Sequence, residues 1–234
     1  MTLLKKTLIS LICFAFFFGC CIFSGGADDA LTTAAQSDVR KTVIIDPGHG
    51  GFDGGASAAD GTPEKDINLK ISVRLAEILR FNGYEVIMTR TEDTGTETNP
   101  NESIASRKKS DMAERLRIMN ENEDAVFVSI HLNKFTSSAA AGAQVFYSPT
   151  RDESQALGLS IQGAVKRLLQ PQNERTVKRG TKSTYLLYKA QIPAVIVECG
   201  FLSNKNELML LKDEEYQSKM AFAVFCGITE YMGE

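Results

Sequence analysis

The chain has 234 residues, 43% of them hydrophobic and 24% charged, with a formal net charge of -3. That suits one globular domain with a sizeable core, and no internal repeat or long low-complexity tract interrupts it. Without residues 1–27 the remainder carries 24 basic and 29 acidic residues, a net -5, a poor balance for wrapping nucleic acid.

Lys5 and Lys6 precede an apolar run over residues 8–23, followed by Ser24-Gly25-Gly26-Ala27. A basic start, an apolar run and small residues after it predict a secretory signal peptide or signal anchor over residues 1–27, the only membrane contact expected. The folded part is therefore expected to be exported across the cytoplasmic membrane, secreted or anchored. Residues 28–41, small and polar, read as a linker, and residues 42–233 as one domain. Cys13, Cys20 and Cys21 lie in the leader. Cys199 and Cys226 sit far apart inside apolar patterns and read as small buried hydrophobes, not as a disulfide framework.

Short apolar runs predict strands at residues 43–45, 85–89, 125–130, 143–147, 184–188 and 194–197. Amphipathic or helix-forming stretches predict helices at 64–82, 106–122, 153–169, 205–211 and 215–232. In the first helix Ile67, Ile71, Leu75, Ile78 and Leu79 share one face, and Asn82-Gly83 stops it. Residues 50–61 read as a loop, residues 91–105, rich in Thr, Glu and Asn, as a mobile stretch, and residues 170–182 are polar and basic. Strands alternating with helices imply an α/β fold: a twisted, mostly parallel sheet of about six strands with helices on both faces.

The chain's two histidines fall at informative places. His49 lies in Ile45-Asp46-Pro47-Gly48-His49-Gly50-Gly51, after the first strand, and His131 ends Phe127-Val128-Ser129-Ile130-His131. Glu64 opens the first long helix in Glu64-Lys65-Asp66, and Glu198 ends Ala194-Val195-Ile196-Val197-Glu198. In open α/β sheets ligands bind beyond the carboxyl ends of the strands, so these four residues could converge there. Two imidazoles and a carboxylate are a catalytic zinc set with one position left open for water. A second carboxylate nearby could move the proton of an amide hydrolysis. Each residue has a structural alternative: a turn for His49, a helix-dipole partner for Glu64, a strand cap for His131. A carboxylate after Val195-Ile196-Val197 is costly unless paired or bound, which makes Glu198 the hardest to explain away. Asp46 and Asn133 are candidates to orient the histidines, with turn formation the competing role of Asp46.

Together with Ser129-Ile130-His131-Leu132-Asn133 and Val197-Glu198-Cys199-Gly200-Phe201-Leu202-Ser203-Asn204, these motifs resemble the zinc-dependent N-acetylmuramoyl-L-alanine amidases of bacterial cell walls, the amidase-3 family. The likeness spans about residues 42–232. The segment from Ser106-Arg107-Lys108-Lys109 to Glu114-Arg115, with Leu132, resembles the germination-specific, spore-cortex branch. The resemblance implies one zinc ion held by His49, Glu64 and His131, with Glu198 as the catalytic carboxylate acting on water. The implied substrate is peptidoglycan: glycan strands with stem peptides, cut between N-acetylmuramic acid and L-alanine. In that branch stem removal prepares muramic acid for a deacetylase, giving the muramic δ-lactam of spore cortex. A lipoprotein activator is a further partner to expect. Lys134 and Phe135 depart from the small residues that many members carry, which predicts a different cleft rim.

The basic residues Arg175, Lys178 and Arg179 are candidate contacts for stem-peptide carboxylates, with a solvated face as the alternative. Two other functions compete: a cysteine hydrolase using Cys199 and His131, and a non-catalytic wall-binding module.

Overall fold

The computed structural model describes residues 41–233. The expected leader, Cys13, Cys20 and Cys21, and all but the last residue of the expected linker lie outside the described residues. Among the described residues no helix is long and apolar enough to cross a membrane.

Six strands form one sheet: β1 (Thr42–Pro47), β2 (Glu85–Met88), β3 (Ala125–Asn133), β4 (Gln144–Tyr147), β5 (Lys178–Arg179) and β6 (Ala194–Phe201). Their order is β2-β1-β3-β6-β4-β5. All neighbours run parallel except β4 against β6. Among the described residues six helices accompany them: α1 (Glu64–Phe81), α2 (Ile104–Asn120), α3 (Glu153–Leu168), α4 (Tyr185–Lys189), α5 (Lys205–Lys212) and α6 (Glu214–Met232).

The central strands are apolar on both faces, as strands covered on both sides require. Val43, Ile45, Val128, Val145, Val195, Val197 and Cys199 face one cluster, filled by α1 residues Ile67, Ile71 and Leu75 and α6 residues Met220 and Val224. The alternate residues Ile44, Phe127 and Ala194 face a second cluster with Met119 of α2 and Leu186 and Leu187 of α4. Strand alternation thus fixes what each residue of β3 and β6 can reach.

Three expectations are corrected. Residues 184–188 are not a strand. Thr181 and Thr184 bond to each other, and Tyr188 N–H donates to the Thr184 carbonyl, starting the helix α4. Leu186 and Leu187 are both buried, which a strand of period two would place on opposite faces. The sixth strand is Lys178–Arg179 instead. Second, β3 and β6 run past His131 and Glu198, so both lie inside strands, paired with each other in register. Third, part of the stretch 91–105, residues 93–97, is tied to the helices around it. Asp93 pairs with Lys65, Thr96 bonds Asp111, and Glu97 pairs with Arg107. Helix α2 starts two residues earlier than expected, with Ser103 Oγ accepting from Ser106 N–H as its N-cap.

Candidate metal centre

His49, Glu64 and His131 come together from β1's exit loop, the first turn of α1 and the C-terminal half of β3. One ligand atom from each lies within 4.8 Å of the others. Glu64 Oε1 is 3.0 Å from His131 Nδ1, and Glu64 Oε2 is 3.3 Å from His49 Nε2. Four ligands placed tetrahedrally at zinc bond lengths lie about 3.4 Å apart, so these separations suit such an ion. The two rings meet edge to face, centroids 4.9 Å apart.

The sequence builds this cluster by holding backbone where side chains need room. A Cβ on Gly48 would sit 2.3 Å from the His131 ring, and one on Gly55 would sit 2.6 Å from Glu64 Oε2 and from the His49 ring. His49 itself is left-handed, with φ of 62°, a conformation that a non-glycine residue keeps only when its surroundings enforce it. Two arginines enforce it. Arg90 donates to the carbonyls of Pro47 and Gly48. Arg115 donates to those of Pro47 and His49.

Glu64 is 3% exposed. Its carboxylate accepts from the amides of Ala56 and Leu132 and from Asn68 Nδ2. Burial pushes its pKa up, but the two imidazoles outweigh that and hold it well below the usual carboxylate range. Burial likewise disfavours a charged His49, yet the hydrogen bond to Asp53 and the contact with Glu64 raise its pKa to about 9. Asp53 Oδ2 lies 2.9 Å from His49 Nδ1, which fixes the proton there and turns Nε2 toward Glu64.

Glu198 stands beside this cluster, paired with His131 across β3 and β6. Its Oε2 is shut from solvent with no hydrogen-bond partner. Burial raises its pKa to about 7 against the attraction of His131. An unpartnered buried carboxylate oxygen next to two imidazoles and a second carboxylate suits a site that takes a cation and a polar ligand. His49, His131 and Glu198 line a cavity of about 340 Å³, which Lys108 and the stretch Ser183-Thr184-Tyr185 also wall.

The remaining expected residues fall elsewhere. Asp46 is buried and forms no turn and no bond to a histidine. It accepts from Thr89 and Ser129, each at 2.6 Å, and from Arg115, so it reaches His49 only through the arginine. Burial pushes the Asp46 pKa up, but Arg115 together with the hydrogen bonds from Ser129 and Thr89 turns the net shift downward. The Asn133 carbonyl accepts from Leu202 N–H, and its side chain bonds neither imidazole. Arg175 lies over the Phe201 ring at 4.5 Å and donates to Ala141 and Gln144. It borders a wider hollow of about 740 Å³ that contains none of the four central residues. Lys178 is exposed in β5, and Arg179 donates to the Pro149 carbonyl. Lys134 reaches the Ser57 carbonyl, and Phe135 is exposed. Cys199 is fully buried in the cluster on the opposite face of β6 from Glu198, and burial pushes its thiol pKa far up, which leaves little thiolate for nucleophilic attack.

Asp53, Asn68 and Arg90 complete the site without having been singled out from the sequence, together with Lys108 and Arg115, which the sequence marked as part of a branch-like segment but not as site residues. Asp53, in a glycine-rich loop four residues after His49, and Asn68, one turn after Glu64, carried a spacing signal. Arg115 carried none, since a charged residue in a charged helix reads as surface.

The chain is similar to known proteins over nearly all of its described residues. The model of the N-acetylmuramoyl-L-alanine amidase family Amidase_3 matches residues 43–230. The germination-specific N-acetylmuramoyl-L-alanine amidase of Bacillus subtilis (strain 168) is 36% identical over 196 residues, 83% of this chain and 81% of that protein. The CwlD amidase of Clostridioides difficile, solved in complex with the GerS lipoprotein, is 41% identical with a TM-score of 0.80, covering 83% of this chain and 99% of that one. The catalytic domain of CwlV, an amidase of the same type from Bacillus (Paenibacillus) polymyxa, is 32% identical with a TM-score of 0.67, covering 82% and 98%. The chain belongs to the N-acetylmuramoyl-L-alanine amidase family Amidase_3.

Proposed function

We propose that this chain is a zinc-dependent amidase that cuts the bond between N-acetylmuramic acid and L-alanine of the stem peptide, and that it acts in spore-cortex maturation. The observation that carries the reading is the carboxylate of Glu198, with one oxygen buried and unpartnered, set in register beside His131 at the edge of the His49–Glu64–His131 cluster.

In this reading His49 Nε2, Glu64 and His131 Nδ1 hold the ion. When bound, zinc supplies a Lewis acid for the scissile carbonyl and an acidified water. Asp53 keeps the His49 proton on Nδ1. Glu198 takes a proton from the attacking water and delivers it to the leaving alanine amine. Its position beside the cluster, with one oxygen buried and unpartnered, suits both halves of that transfer. The cortex role rests on likeness to the germination-specific relative, and in that setting a deacetylase would convert the exposed muramic acid to δ-lactam. A lipoprotein partner is part of the proposal, because the Clostridioides difficile relative was solved with one. So is action outside the cytoplasmic membrane.

The test is digestion of cortex peptidoglycan by the zinc-loaded protein, with and without a cognate lipoprotein, read by mass spectrometry. Release of stem peptides with a free alanine amine, leaving stemless muramic acid, is expected. Cleavage at any other bond, or none under either condition, would overturn the reading.

A further inference from the structure

We propose that Lys108 of α2 is a specificity-determining residue that binds a free carboxylate of the stem peptide; the inference rests on the amidase reading and names the part of the substrate that the cavity selects. Among the residues lining the cavity, the non-histidine cations are Lys108 and Arg115. Arg115 is 1% exposed and saturated by Asp46, Asp111 and two backbone carbonyls, so it has no donor left for a ligand. Lys108 is different. Its side chain is 53% exposed, and its ammonium meets Asp53 Oδ1 at 3.1 Å. An ammonium has three donors, and one contact leaves two for an incoming acceptor.

Position supports the same role. Asp53 stands between Lys108 and His49, with 3.1 Å on one side and 2.9 Å on the other. Adding the widths of a carboxylate and an imidazole places the ammonium within roughly 10 Å of His49 Nε2, about the span of three extended residues. A carboxylate on one of the first residues after the scissile bond can therefore reach it. The facing wall, Ser183-Thr184-Tyr185, carries no charge, and outside the metal centre with its two histidines the cavity's other charged groups are acids or the saturated Arg115. Away from the metal centre, an anionic substituent entering this cavity meets one side-chain cation with donors to spare, Lys108. Arg175, Lys178 and Arg179 do not line it.

The experiment compares synthetic muramyl peptides whose stem carboxylates are free or amidated, using zinc-loaded wild type, Lys108→Met and Lys108→Arg, with zinc content measured on each. Wild type should prefer the free acid through a lower KM. Lys108→Met should raise KM for the free acid about tenfold, as expected for loss of one charge-assisted contact, and abolish the preference. Lys108→Arg should keep a preference. If Lys108→Met weakens both substrates by the same factor together with zinc loss, the lysine only steadies Asp53 and the proposal fails. It fails too if wild type shows no preference or Lys108→Met retains one. A wild type that cleaves neither substrate overturns the amidase reading, and this inference with it.

Discussion

Replacing Glu198 by glutamine should weaken activity and strengthen the metal-free fold at the same time. Burial raises the Glu198 pKa from 4.5 to about 7, so the folded state binds this proton more tightly than the unfolded state does. Ionisation therefore costs stability: nothing below pH 4.5, increasing from there, and the full amount above pH 7. At 1.36 kcal/mol for each pKa unit the full amount is about 3 kcal/mol. Glutamine removes the charge but brings an amide that also needs partners, so a net gain of roughly 1–3 kcal/mol is expected at pH 8, with almost none at pH 4. Loss of a positioned general base should lower kcat by roughly 10²- to 10⁴-fold. The assay pairs denaturant melts of the chelator-treated proteins at both pH values with turnover of the zinc-loaded ones. A variant that is no more stable at pH 8, or that still turns over within a few fold of wild type, would refute the placing of an unpartnered carboxylate at the reactive centre.

Other outcomes follow from neighbouring residues. Zinc uptake at pH 7.5 should release protons, because His49 with a pKa of about 9 is charged before it can ligate; calorimetry in buffers of different ionisation enthalpy measures this, and Asp53→Asn should reduce the release. Arg115→Met should cost roughly 3–5 kcal/mol in a denaturant melt, since it leaves buried Asp46 unpaired and frees the carbonyls that hold His49 in its left-handed conformation. Thiol alkylation should leave activity intact, because Cys199 is buried away from Glu198; inhibition that tracks modification of Cys199 would return the cysteine hydrolase to consideration.

The layered fold was legible because its signals are periodic. The stripe Ile67, Ile71, Leu75 and Leu79 marks α1, and the β-branched runs around Val43 and Val195 mark central strands. The four central residues were legible because a carboxylate or imidazole beside such a run needs a reason to be there. What the sequence hid is non-local. Arg115 bonds Asp46 across 69 positions, and no local pattern distinguishes that arginine from the exposed Arg117 two residues on. The cluster Thr181-Lys182-Ser183-Thr184 mixes turn and strand formers, so β propensity around Tyr185 was outweighed by side chains that bond their own backbone. The strand extensions through His131 and Glu198 were missed because polar residues normally end an apolar run. Here they continue it, on the face that carries the site.

His49, Glu64 and His131 are predicted to share one ion. Elemental mass spectrometry of the purified protein tests it directly. One zinc per chain is predicted, lost in His49→Ala, Glu64→Ala and His131→Ala and kept in Glu198→Gln. Full amidase activity in protein stripped of metal, or zinc retained at one per chain after any of the three alanine substitutions, would contradict it.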